Sequence, residues 1–183
     1  MNPETTTSLP APDQLARQIK IWGEALGFQQ IGITDTDLSL AEAQFNQWLD
    51  RGFHADMNFM SKHGSKRTRP AELEPGTISV ITARMNYFPE SRDAWEVLQQ
   101  DDLAYISRYA LGRDYHKLMR KRLQQLARKI EAVIGEFGYR VFVDSAPVLE
   151  KPLADKAGLG WTGKHSNIIS RDAGSWFFLG EIY

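Results

Sequence analysis

The chain has 183 residues, 42% of them hydrophobic and 25% charged, which is the balance of a globular domain with a real core rather than a disordered segment. A formal net charge of -1 makes no demand for a nucleic-acid partner, so only a local basic patch could supply one. The absence of cysteine excludes disulfides, thiolate zinc sites and any cysteine-ligated iron–sulfur cluster held by these residues.

Residues 1–11 lack the basic and apolar regions of a signal peptide and read as a disordered lead-in. No apolar run is long enough to span a membrane, so a cytoplasmic location is expected. Leu15, Ile19, Trp22 and Leu26 recur at helical spacing and Gly27 closes a first helix over 12–27. Ile31 and Ile33 mark a short strand over 30–34. Ser39 and Glu42 have capping-box spacing for a helix running to Leu49, with Phe45, Trp48 and Leu49 expected to be buried. Gly52 stops it.

The stretch 52–70 is irregular, aromatic and basic. Phe53, Met57, Phe59 and Met60 have two readings, as the lining of a pocket or as packing against the core. Lys62, Lys66, Arg67 and Arg69 could hold phosphate or carboxylate, or simply face solvent. A strand is predicted over 77–83, with an extension at 86–88, and a short helix over 91–100. The following run, 103–116, is dense in hydrogen-bonding groups: Ser107, Arg108, Tyr109, Arg113, Asp114, Tyr115 and His116. Asp114 and His116 would make an acid/base pair, except that residues two apart do not face the same way on a helix.

Residues 115–137 form the clearest helix. Met119, Leu123, Leu126, Ile130, Val133 and Phe137 make one apolar stripe. Lys117, Arg120, Lys121, Arg122, Arg128 and Lys129 make a basic face, which is either solvated or the best local candidate for a nucleic-acid backbone.

The most informative stretch is 139–169, YRVFVDSAPVLEKPLADKAGLGWTGKHSNII. An apolar strand over 139–143 delivers Asp144 and Ser145 to its C-terminal end, and a helix over 152–157 stops at Gly158. A Gly-rich loop with Lys164 and Asn167 follows. It lacks the spacing of a phosphate loop but could still offer backbone N–H groups to an anion. A carboxylate beside such a loop is a common way to build a site. The plainer reading is that Asp144 or Ser145 caps the next turn and the glycines only turn the chain. Beyond it, 166–170 and 175–183 flank a turn at Asp172–Gly174 and predict an antiparallel hairpin. The apolar strand pattern still running at GEIY suggests a piece of something longer. The order of elements predicts an α/β (α+β) domain, one central mixed sheet flanked by helices.

Four motifs carry a resemblance: ISRYALGRDYHK (106–117), VDSAPVLEK (143–151), AGLGWTGKHSNII (157–169) and GSWFFLGEI (174–182). The pattern around 52–60 and Arg67–Leu73 also fits. Over residues 12–183 the sequence resembles the N-terminal part of the epoxyqueuosine reductases, cobalamin-dependent iron–sulfur enzymes of tRNA queuosine biosynthesis. The resemblance implies a cobalamin-binding catalytic domain, similar in architecture to flavin nitroreductases and B12-processing proteins. This domain would be cut before a ferredoxin-like domain with two 4Fe–4S clusters, a boundary that fits the lack of cysteine.

It implies reduction of the epoxide of epoxyqueuosine, at the wobble position of tRNA, to queuosine. By motif position, Asp144 would be the proton donor. Cobalamin contacts would fall on Arg67, Ser107, Asp144, Ile168 and Leu179, with Lys164 and Asn167 near its nucleotide tail. Lys151 and Ser170 would lie near the tRNA. No metal would be ligated by this chain, a monomer is expected, and the isolated piece would be inactive without its electron-delivering clusters. Two other readings compete: a flavin- or cobalamin-binding nitroreductase-like protein with no tRNA role, and a non-catalytic RNA-binding domain built on the basic helix.

Overall fold

The computed structural model describes residues 9–88 and 90–183, so the lead-in expected over 1–11 falls largely outside the described residues. Helix α1, Pro12–Ala25, begins on a proline whose missing N–H costs a first turn nothing, and the chain leaves it through Gly27 at φ 86°. Strand β1 is Gln30–Thr34, followed by α2, Ser39–Asp50, the single turn α3, Pro70–Leu73, strand β2, Val80–Asn86, and α4, Ala94–Leu98. The long helix α5, Tyr115–Ile134, precedes β3, Val141–Phe142, and α6, Glu150–Lys156. Strands β4, Trp161–Thr162, β5, Ile168–Ile169, and β6, Phe177–Ile182, complete the described fold.

The main sheet has the order β1-β2-β6-β3. A mixed sheet was expected, but its three pairings are all antiparallel, with Ala83 opposite Gly180 and Thr82 opposite Glu181. Side chains alternate across a sheet, so two faces must each be covered. Ile31, Ala83 and Ile182 meet α1 and α5 on one face, where Ile19, Phe28, Met119, Leu123, Leu126 and Ile130 close a continuous core. On the other face Val80, Phe142 and Tyr183 pack with Leu153 of α6. That helix sits close because β1 offers no side chain there. A Cβ on Gly32 would stand 2.5 Å from the Ala157 carbonyl oxygen.

Several boundaries differ from the sequence expectations. Strand β2 starts at Val80 rather than at 77, and α6 starts at Glu150 rather than at 152. The expected hairpin over 166–183 is not formed as such. Ser170 and Gly174 make an isolated bridge, β5 pairs instead with β4, and β6 enters the main sheet between β2 and β3. The expected capping box on α2 is also absent. Glu42 turns away to bond Thr68 and Arg69, and the Ser39 N–H donates to Asp37 instead. Phe45, Trp48 and Leu49 are half-buried rather than buried, with Phe45 stacked on Trp48 at 6.0 Å.

The start of α5 is capped by Asp114, whose carboxylate accepts from the His116 N–H at 3.0 Å. Asp114→Ala is expected to lower stability by about 1 kcal/mol. Thermal unfolding of the variant beside the parent measures it.

Candidate functional site

Asp144 lies two residues beyond the end of β3 and adopts φ 58°, a left-handed conformation that aspartate tolerates better than most residues. This turn throws its side chain toward the first turn of α5. There its Oδ2 meets His116 Nε2 at 2.9 Å and accepts from the Tyr115 hydroxyl at 3.1 Å. His116 Nδ1 lies 2.9 Å from Asp114 Oδ1. A carboxylate on each ring nitrogen favours the imidazolium, the form that can donate from both nitrogens. The hydrogen bond to Asp144, followed by the one to Asp114, lifts the His116 pKa above its ordinary value. Expected on this basis is a fall in the His116 titration midpoint in Asp144→Asn, read from the imidazole proton shifts by NMR.

The Asp114–His116 pair is therefore real, and the helical-face objection to it does not apply. Asp114 is the cap, outside the helix, and bends back over the first turn. Tyr115 is fixed by stacking on Phe178 at 3.7 Å and 4°, and its ring also lies 4.0 Å from that of His116. Burial and the nearby Asp144 charge push the Tyr115 hydroxyl up, so it remains a donor. Asp144 itself is not enclosed. Its side chain is 56% exposed, at the mouth of a cavity rather than in a closed pocket.

That cavity, of about 130 Å³, is lined by Asp144, Glu150, Lys151, Asn167 and Ser175 as a polar wall, and by Ile168, Phe177, Phe178 and Leu179 as an apolar one. A larger groove of about 720 Å³ adjoins it, sharing Tyr115 and Phe178, and is bordered by Met85, Tyr109, Arg113 and Leu118. Glu150 is pushed up to about 7, first by burial and then by the charge of Asp144.

The structure thus brings together Asp144, Lys151, Asn167, Ile168 and Leu179, five residues singled out from the sequence. Lys151 donates to the Asn167 side chain at 3.0 Å. The other candidates lie elsewhere. Arg67 is buried and donates to the carbonyls of Phe59 and Met60, tying down the loop on which Phe53, Met57 and Phe59 stand exposed rather than lining a pocket. Ser107 precedes a short 3₁₀ turn at Arg108–Ala110. Lys164 is exposed in the tight turn between β4 and β5. Ser170 is buried and accepts from Arg84, which commits its hydroxyl to the protein interior.

The glycine at 160 has a packing reason: a Cβ there would stand 2.3 Å from the Ile169 carbonyl oxygen. Of the basic face on α5, Arg122 turns inward to the Gly27 carbonyl, whereas Lys117, Arg120, Lys121, Arg128 and Lys129 are exposed. Among the described residues no group of three or more His, Asp or Glu side chains is placed to hold a metal ion, and no helix is long and apolar enough to cross a membrane.

Residues 67–145 match the family described as "Epoxyqueuosine reductase QueG, DUF1730". An epoxyqueuosine reductase of Pseudomonas aeruginosa is 58% identical over 176 residues, which is 96% of this chain and 49% of that protein. One of Escherichia coli is 57% identical over 170 residues, 93% of this chain and 45% of that protein. Over these spans the chain is similar to the epoxyqueuosine reductases. It spans about half the length of the curated relatives it matches.

The fold agrees. An epoxyqueuosine reductase structure from Streptococcus thermophilus superimposes with a TM-score of 0.78 at 24% identity, over 91% of this chain and 45% of that one. An epoxyqueuosine reductase crystallised with an epoxyqueuosine-modified tRNA-Tyr stem loop gives 0.72 at 19% identity, over 93% of this chain and 45% of that one. The structural likeness places the reductase relative in this α/β class, and the match at 67–145 brackets both the Tyr115–His116 pair and Asp144.

Proposed function

We propose that this chain is the cofactor-binding and proton-donating part of an enzyme that reduces the epoxide of epoxyqueuosine in tRNA to the cyclopentene of queuosine. The observation that carries the proposal is identity of 57–58% to epoxyqueuosine reductases across nearly the whole chain. The polar wall around Asp144 supplies a chemistry that suits it. A relative of this fold holds a modified tRNA stem loop, and a Bacillus subtilis one has been seen with its catalytic aspartate loop swung out of the active site. An exposed aspartate on a left-handed turn after a strand is a suitable hinge for such a loop. We place the reaction in the cytoplasm, where tRNA is modified, and expect a monomer.

The cavity and its adjoining groove fit a flat macrocycle with amide arms. They offer an apolar wall of Ile168, Phe177, Phe178 and Leu179 beside a polar rim. On this reading Asp144 and the main chains at Ile168 and Leu179 hold cobalamin, Ser107 approaches from the groove side, and Lys164 and Asn167 serve its nucleotide tail. Arg67 acts from behind, by fixing the loop at 59–60. When bound, cobalamin supplies a strongly reducing cobalt centre. Two 4Fe–4S clusters, which the cysteine-free chain cannot ligate, would supply its electrons.

Within this chain, His116 holds a proton at Nε2 against Asp144 Oδ2, and Tyr115 fixes the same oxygen from the other side. Oδ2 can relay that proton to the departing epoxide oxygen, which leaves His116 as the neutral imidazole still bonded to Asp114. Lys151 at the rim and the exposed lysines and arginines of α5 are the groups offered to the tRNA backbone. Ser170, by its burial, supports this wall from inside.

The test is a visible-absorption titration with cob(II)alamin beside FMN. A saturable spectral change with cobalamin alone supports the proposal. Binding of FMN alone supports a nitroreductase-like protein with no tRNA role. Binding of tRNA by a folded sample that responds to neither cofactor supports an RNA-interaction domain.

A further inference from the structure

Converting an epoxide to an alkene breaks two C–O bonds, forms one C=C bond and releases the oxygen as water. It consumes two electrons, here from the low-potential iron–sulfur clusters, and two protons. Asp144 can deliver only one proton at a time. Resting on the functional reading above, we propose that Glu150 and Glu181 form a buried carboxyl pair that holds the second proton, and that Glu150 presents it to the cavity beside Asp144.

The geometry starts from Glu181. It lies on β6 in the middle of the sheet, fully buried, directly opposite Thr82 of β2, which is also fully buried. Neither carboxyl oxygen of Glu181, nor the Thr82 hydroxyl, has a hydrogen-bond partner among the described residues. An unpaired carboxylate in such a place is costly, and the group becomes neutral by keeping its proton. Burial first, and the charge of Glu150 second, raise the Glu181 pKa well above the ordinary carboxylate range. A fold using this position for packing alone would be served better by an apolar residue, such as its neighbours Leu179 and Ile182.

Glu150 connects this interior to the site. It is the first residue of α6, which lies over the Glu181 face of the sheet, and it shares the cavity wall with Asp144. The groups around the pair are few. Asp144 and Lys151 face Glu150, with opposite effects on its proton. Tyr183 lies on the same strand face as Glu181 and is pushed up by burial and by Glu181. On β2, Thr82 faces Glu181, and Arg84 lies one step further along, committed to Ser170. Two acids behind one wall, the charge of one raising the pKa of the other, share protons rather than ionise together. Glu150, Glu181 and Asp144 then form a route from the interior to the epoxide oxygen. Glu150 faces the cavity, whereas Glu181 acts only through it.

The experiment uses the full-length, cofactor-loaded enzyme, with Glu150→Gln and Glu181→Gln, both close in shape to the parent. The first readout is independent of turnover: the infrared C=O stretch of a neutral carboxylic acid at pH 7 in the protein without substrate. It is expected in the parent and diminished in E181Q, where the remainder, from Glu150, fades as pH rises through about 7. The second is the pH profile of single-turnover reduction. The parent rate is expected to fall as pH rises through about 7, the range over which Glu150 loses its proton. In E150Q that limb flattens, with a rate at neutral pH lower by roughly 10²-fold. E150D restores part of both.

A parent-like pH profile in E150Q overturns the proton pair while leaving the reductase reading intact. So does the absence of a neutral-acid band in the parent. Absence of epoxyqueuosine reduction by the parent overturns the reductase reading itself, and the infrared band then still reports whether Glu181 holds a proton. Should E181Q fail to fold, the parent band together with the E150Q profile decides the matter.

Discussion

Asp144→Asn in the full-length enzyme is expected to lower turnover by about 10²- to 10⁴-fold, the usual contribution of a positioned proton donor. Asparagine preserves the size of the side chain. Its carbonyl oxygen can still accept from Tyr115 and His116, as Oδ2 of Asp144 does now. What it lacks is a carboxyl oxygen that can take a proton from His116 and release it into the cavity. Cofactor absorption measured beside turnover separates loss of chemistry from loss of binding, since Asp144 also touches cobalamin on this reading. Tyr115→Phe serves as the contrasting variant. It keeps the ring stacked on Phe178 and removes only the hydroxyl, so it is expected to cost much less. Normal turnover in Asp144→Asn would remove Asp144 from the reaction, and Glu150 would then be the remaining acid of the cavity wall.

The second large effect lies in the core. Leu123→Ala is expected to destabilise the protein by about 2–5 kcal/mol, the range for a fully buried leucine whose neighbours cannot collapse into the space. Leu123 is completely buried, and its neighbours are held by the sheet. Its Cδ1 would stand 3.0 Å from a Cβ on Gly180, so leucine and glycine are fitted to each other across α5 and β6. A chain of this size loses roughly 2–4 °C of Tm per kcal/mol, which gives a drop on the order of 10 °C in a thermal melt. A melt within 2–3 °C of the parent, about one kcal/mol, would mean that α5 slides to fill the gap. In that event Tyr115 and His116, on the same helix, would move with it.

How much of this was legible in the residues alone differs by element. The apolar stripe of α5 and the alternation in β1 specify helix and strand because a single buried face imposes its own period on the sequence. The fate of 166–183 could not be read the same way. A turn-forming RDAG between two apolar runs has the local pattern of a hairpin. That β6 pairs with β2, some 90 residues earlier, is decided by tertiary fit, with glycine at 180 admitting α5. The helix at 39–50 was legible, but the role of Glu42 was not, because its partners Thr68 and Arg69 lie far along the chain.

At the site, Asp144 and the loop ending in Asn167 and Ile168 were visible as a carboxylate and a Gly-rich turn after a strand. The partnership with His116 and Tyr115 was not, since no spacing rule links residues 28 positions apart. Arg67 and Ser170 have charged or polar chemistry suited to ligands, but burial turned both inward. Glu181 did leave a trace: a single acid within the apolar run 176–183.

The position of β6 has a consequence for how the chain acquires its shape on the ribosome. Of the four strands in the main sheet, β6 is the last to be made, yet it stands between β2 and β3. At elongation rates of roughly 5–20 residues per second, about 5–20 s pass between the emergence of β2 and that of its partner. For that interval the inner edge of β2 is unpaired, and the apolar stripe of α5 has only the earlier elements, α1 and β1–β2, to pack on. This open template favours a holdase chaperone, or an early docking of α5 onto α1, to keep the nascent chain from pairing with its neighbours.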